Sequence, residues 1–294
     1  MNALQRIGII VVYEWRRALA KKWFFALVIM AFAVQILVFA VFNYLITSPL
    51  NVPPSLLENI KETKPLMWVV EVLAPQGFFM SIIAIMIAGG SMAEEYEAGI
   101  TDVMLSKPIR RLEYMTGKYL GGFSLLSFVA ALTTILGVIL ASIFGPQNSL
   151  QFIPYMYLAI VFSNLVFLSL AFMLSEVLRR STLAYFSAAL IAFMHVFMHL
   201  ISFVYSFTGE ELYNEISKWL PDGGTSRFPS LLMGHLMDIP SNPFISSFIS
   251  TYVSHEAGGS DILLAVALIV TYTAIFIAVA AIRIVKSDVT KKTA

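Results

Sequence analysis

Two groups of residues in this 294-residue chain have the types and spacing to do chemistry. The first is the segment 94–118, EEYEAGITDVMLSKPIRRLEYMTGK, where Glu94, Glu95, Asp102 and Glu113 stand among Lys107, Arg110, Arg111 and Lys118. Carboxylates and cations mixed at this density suit recognition of a charged partner. The second is the pair His195 and His199, inside AFMHVFMHL with Met194 and Met198. Four residues apart, the two imidazoles share one face of a helix. With the thioethers they could hold a soft metal or line a substrate path; equally, they could be neutral histidines bonded to neighbouring helices. No acid accompanies them in the apolar runs, so no metal site is assigned.

Several chemistries are missing. The only Gly-Lys pair, Gly117-Lys118, has Leu112 five positions before its glycine and Tyr119 after its lysine, so it is not a phosphate-cradling GxxxxGK[ST] loop. No HExxH, GxSxG or Cys/His metal spacing occurs. Cysteine is absent, which excludes disulfides, thiolate metal sites and a cysteine nucleophile. No residue is assigned a catalytic role, and the chain is expected not to be an enzyme.

The elements that position these residues must live in lipid. Hydrophobic residues make up 59% of the chain and charged residues 13%, with mean hydropathy +0.81. A soluble chain has about 25% charged residues, and one with so few could not cover its own surface. About 20 apolar residues cross a bilayer core of about 30 Å. Six segments qualify: 24–46, 77–93, 120–144, 153–174, 183–205 and 262–282. The predicted fold is thus an all-α integral membrane protein with six transmembrane helices.

The cations fix its expected orientation. Arg and Lys concentrate in the N-terminal arm, in 94–118, at Arg179-Arg180 and in the C-terminal tail, while only Lys61, Lys64, Lys218 and Arg227 fall on the opposite side. Glu58, Glu62, Glu71, Glu210, Glu211 and Glu215 lie on that opposite side. Basic loops stay inside, so both termini and 94–118 are expected in the cytoplasm of a multi-pass plasma-membrane protein.

Residues 1–23 lack the short apolar region and small-residue cleavage site of a leader, so the first span is expected to be retained. They read as an interfacial amphipathic helix with the stripe Leu4, Ile7, Val11, Trp15, Ala18 and Leu19, ahead of a six-helix transmembrane domain 24–294. On the outer side, 47–76 carries Pro49, Pro53, Pro54, Pro65 and Pro75, so only a short helix near 55–63 is expected. The segment 209–261 mixes Pro221, Gly223, Gly224, Pro229, Pro240 and Pro243 with two apolar stretches, 231–237 and 244–253. These are too short to span and read as re-entrant or surface-lying helices. Within the spans, Gln35, Asn43, Ser163, Asn164 and Tyr272 are the polar residues, suited to helix–helix hydrogen bonding. Gln35, Asn164, His195 and His199 are candidates for lining a substrate path.

The pattern of 94–118 is specific. Glu95, Gly99, Asp102, Leu105, Ser106, Pro108, Ile109, Arg111, Glu113, Gly117 and Lys118 resemble the signature of type-2 ATP-binding-cassette (ABC) exporter permeases. In that family the second span runs into E-x-x-x-G-T, an acidic helix and L-S-x-P-I-S-R-x-E-x-x-x-G-K before the third span. Ile100 stands here for the usual threonine and Arg110 for the usual serine.

The resemblance implies a permease subunit moved by a separate ATPase subunit that holds the ATP and magnesium, the chain itself needing no cofactor. It also implies pairing with a second permease copy or paralogue in the bilayer, and no nucleic-acid partner. A coupling helix between spans two and three would be formed by 94–106 as one helix ended by Pro108, with Arg110, Arg111 and Glu113 starting the next. Glu94, Glu95, Gly99, Asp102, Ser106, Pro108, Arg110, Arg111, Glu113, Gly117 and Lys118 are the coupling candidates. A competing reading is a permease-like membrane factor for metalloenzyme (copper) maturation or another assembly role, for which His195, His199, Met233, His235 and Met237 are the support.

Overall fold

The computed structural model describes residues 2–47, 54–144, 150–187, 189–191, 193–194, 197, 219–237 and 259–286. All secondary structure among them is helical. In chain order the helices are α1 (Ala3–Leu19), α2 (Lys22–Thr47), α3 (Pro54–Gly89), α4 (Ala93–Glu97), α5 (Ile100–Leu105) and α6 (Arg111–Phe144). There follow α7 (Ile153–Ser163), α8 (Leu165–Leu178), α9 (Ser181–Ile191), α10 (Pro221–Leu236) and α11 (Gly259–Lys286).

Five stretches among the described residues are long and apolar enough to cross a membrane: Lys22–Tyr44, Leu66–Glu97, Arg111–Phe144, Leu150–Leu178 and Gly259–Lys286. They coincide with five of the predicted runs. The predicted run 183–205 is described over α9 and a few residues beyond. The protein is an all-α membrane protein.

α3 is the central helix, packed against α2, α6 and α8, while α2 and α11 are the most peripheral of the spans. It also corrects the reading of 47–76. Pro65 and Pro75 do not break it; the helix runs through both from Pro54 to Gly89. Each proline removes one backbone hydrogen bond, but a helix buried against neighbours tolerates that loss. Trp68, Val69, Val70, Val72 and Leu73 of this stretch are buried. Glu71, assigned above to an outer loop, is therefore a buried residue of the second span.

α7 and α8 form one span that steps at Asn164, which caps both helices. The asparagine amide donates back to Ile160 O (2.8 Å), and its Oδ1 accepts from Ser81 of α3 (3.1 Å). α10 begins ten residues earlier than the predicted 231–237 helix. Pro221 opens it, where a missing N–H costs nothing, and Gly224 lies close against Ala265 and Ile269 of α11. Phe228 and Leu231 bury with Ala159, Val166, Ala265 and Ile269. The 244–253 stretch lies outside the described residues.

Candidate coupling site

α1 explains the arrangement of the charged segment. Asn2 caps it in a reciprocal capping box with Gln5. It then follows the start of α6 at a constant offset of 107 residues, Arg6 meeting Glu113, Ile10 meeting Gly117, and Glu14 meeting Gly121. The glycines form the seat: a Cβ on Gly117 would lie 2.7 Å from Ile10 Cβ, and one on Gly121 would lie 2.6 Å from Glu14 Cβ. Small residues four apart let helices approach closely in membranes. Arg6 pairs with Glu113 at 2.9 Å, and Trp15 donates to Ser124 Oγ at 2.8 Å.

The buried face of α1 overlaps the predicted apolar stripe only in part. Of the stripe, Ala18 is buried and Ile7, Val11 and Trp15 are half-buried, whereas Leu4 and Leu19 are exposed; Ile10 and Glu14, outside the stripe, are buried. The face is chosen by what α6 offers, a glycine seat and a lysine, rather than by apolarity alone.

That lysine is Lys118, whose side chain is fully buried. It donates to the carboxylates of Glu14 and Glu95 and to Ser91 O (3.3 Å), and it lies over the rings of Tyr13 and Tyr114. Tyr114 OH donates to Glu95 as well. Arg17 pairs with Glu14 (2.8 Å) and donates to the carbonyls of Gly90 (2.9 Å) and Ser91 (3.1 Å) just past the end of α3. Carbonyls past a helix end lack intrahelical donors, and a cation there also complements the helix dipole. Lys21 and Tyr185 of α9 both donate to Glu94.

Arg17, Lys21 and Lys118 thus face Glu14, Glu94 and Glu95 in one balanced network. Burial opposes the Arg17 charge, but Glu14, Glu95 and Glu94 outweigh it and hold its pKa above the ordinary value. Burial pushes the Lys21 ammonium below its ordinary value despite the bond to Glu94. Tyr13 is pushed up to about 12 by burial and then by the Glu95 charge, so it stays protonated. Such a network is poor at adding net stability but good at fixing one packing register, because breaking any pair strands a buried charge.

The expected single helix over 94–106 is in fact two. Gly99 has φ 67°, a left-handed conformation that costs other residues about 1–2 kcal/mol, and it separates α4 from α5. The break lets α4 stay embedded while α5 turns outward. α5 then ends at Leu105, and the chain reaches Pro108 before α6 begins at Arg111.

The coupling candidates consequently divide. Glu95, Gly117 and Lys118 are buried, and Glu94, Glu113 and Arg111 are engaged inside the protein, Arg111 donating to Ile284 O and Val285 O at the end of α11. Asp102, Ser106, Pro108 and Arg110 are exposed, together with Val103 and Lys107. Sequence reasoning missed Glu14, Arg17, Lys21 and Tyr185. The signal available for Glu14 was its being the one acid among the five cations of 1–23.

Of the path candidates, Gln35 and Asn164 are both buried but are not brought together. Asn164 bonds α3, as described, whereas neither polar atom of Gln35 has a hydrogen-bond partner and its amide lies against Gly137 and Val72. His195 and His199 lie outside the described residues. Met233 and Met237 are core residues and His235 is exposed. Among the described residues no three His, Asp or Glu side chains come together to hold a metal ion.

The pattern of the family described as ABC-2 family transporter protein matches residues 9–222, from α1 through the start of α10. The chain belongs to the ABC-2 transporter family. It is the membrane permease subunit of an ABC transporter, distinct from the ATPase subunit that partners it. No curated protein matches the chain.

Proposed function

We propose that this ABC-2 permease is the membrane half of an exporter whose ATPase subunit docks on the tip of the 99–110 segment. The observation that carries this reading is the division of the segment into a sealed root and an open tip. Asp102, Val103, Ser106, Lys107, Pro108 and Arg110 offer both charge signs and a Val103 that is 61% exposed, on α5 and the turn after it, which Gly99 joins to an α4 tied to α1, α6 and α9. A surface that recognises a partner needs complementary charge, and a surface that transmits force needs a rigid base. Both termini and the tip face the cytoplasm, as the basic distribution favours. Two copies of the permease pair with two ATPase subunits and move substrate outward between their spans.

The test is co-purification of the tagged permease with its co-expressed ATPase subunit in mild detergent. Asp102→Lys combined with Arg110→Glu is expected to cut retained ATPase at least tenfold while membrane insertion stays normal. Unchanged retention would overturn the docking site, and net inward movement of substrate by the reconstituted complex would overturn the direction.

A further inference from the structure

Arg179 is the one non-glycine residue among the described positions with a positive φ, 52°. It follows α8 as its cap, with Arg180 alone separating it from α9. A left-handed arginine persists only where its surroundings over-determine it. Here they come from α4. The Arg179 guanidinium lies 4.3 Å from the centre of the Tyr96 ring and pairs with Glu176 at 2.8 Å. Tyr96 OH donates to both oxygens of Glu176 (3.0 and 2.9 Å), whose side chain is fully buried.

On either side of the turn α4 makes further bonds. Ser175 Oγ accepts from the backbone N–H groups of Met92 (3.0 Å) and Ala93 (2.9 Å). Glu97 accepts from the backbone N–H of Ser181 (2.9 Å) and from its hydroxyl, capping α9. Met92 and the five-residue helix after it thus hold Ser175, Glu176, Arg179 and Ser181 of the junction.

The junction has a second arrangement open to it. If Arg179 returned to right-handed geometry, the path of the chain after α8 would change and α9 would be redirected as a body. Switching elements of this kind have two discrete packings rather than a continuum. We propose that α4 is a clamp that holds the α8–α9 junction in its left-handed turn, with Tyr96 as the positioning residue, and that movement of α4 under the docked ATPase releases α9. Neither Tyr96, Glu97, Glu176 nor Arg179 is among the docking residues. The clamp rests on the docking reading above, which supplies its input.

The chain has no cysteine, so Leu183→Cys, 45% exposed on the first turn of α9, gives a single thiol for an environment-sensitive fluorophore. Labelled permease is co-purified with its ATPase subunit, and emission is read before and after trapping with ATP, magnesium and vanadate. An emission shift on trapping is expected for the parent. Tyr96→Ala is expected to reduce that shift at least fivefold, with retained ATPase and its hydrolysis within twofold of the parent. Tyr96→Phe, which keeps the ring under the guanidinium, should retain at least half of the shift.

Arg179→Gly is the second variant and accepts the left-handed turn without strain. It loses the ion pair to Glu176, so a lower melting temperature is expected, but Tyr96 still bonds Glu176 and the folded variant should still lose the shift at least fivefold. A full shift in Tyr96→Ala or in Arg179→Gly, with ATPase still bound, would overturn the clamp alone. Absence of any shift in a parent complex that retains its ATPase would do the same. Failure of the parent to retain the ATPase would instead overturn the docking reading.

Discussion

At the root of the 94–118 segment, Glu95 and Lys118 are each 1% exposed, while a few residues away Asp102, Lys107 and Arg110 stand in the open. The same residue types serve opposite ends there. At the root, charge sits where solvation is lost, so each ion needs a fixed partner and the network dictates how α1, α3, α6 and α9 meet. At the tip, charge keeps its water and stays available to another chain. Gly99 is the boundary, since its left-handed turn is what separates the embedded helix from the exposed one.

Substitutions can break this contrast. The largest effect is expected from Lys118→Met, which strands Glu95, leaves Glu14 to Arg17 and should cost about 3–5 kcal/mol, the usual penalty for removing one partner of a buried pair. Thermal unfolding of the detergent-solubilised chain measures it. Adding Glu95→Gln to that variant should recover part of the loss, because one stranded charge is removed.

Next comes Gly117→Val, which overfills the seat of Ile10 and should cost about 1–3 kcal/mol. The expected signature is faster proteolysis within α1, because its seat is what fails. A smaller effect of the opposite sign is expected from Gln35→Leu. Removing a buried amide whose polar atoms have no partner should stabilise the protein by about 1 kcal/mol, read in the same melting assay. The smallest effect belongs to the tip, where Lys107→Glu should change stability by no more than about 0.5 kcal/mol while weakening ATPase retention. A tip substitution that melts the protein, or a Lys118 substitution that does not, would erase the contrast.

Much of this was legible from the chain. Apolar runs locate α2, α6, the α7–α8 span and α11 to within a few residues at their membrane ends, because lipid rewards continuous hydrophobicity. The signature residues point to the family and to where the helix after Pro108 begins. Less legible was α3, where two prolines and Glu71 argue for a loop in water but are absorbed by a helix packed on three others. The continuous helix over 94–106 was misjudged because Gly99 can sit in a helix or end one, and the choice is made by what lies beneath it. The root network was not legible either, since Glu14 and Lys118 are 104 residues apart and only the seat of α1 on α6 brings them together.

That separation in sequence has a consequence for how the protein is made. Synthesis proceeds from the N-terminus, so α1 exists long before Gly117, Lys118 and Gly121 have been added. During that interval Glu14 has no lysine and Ile10 no glycine seat, and α1 must wait at the membrane surface with its charged face in water. Only when the start of α6 emerges can it dock, and docking then also closes over Gly90, Ser91 and Glu94. Assembly of this end of the bundle is thereby timed by the appearance of the third span, and a chain truncated before Gly117 would carry an α1 with nowhere to bind.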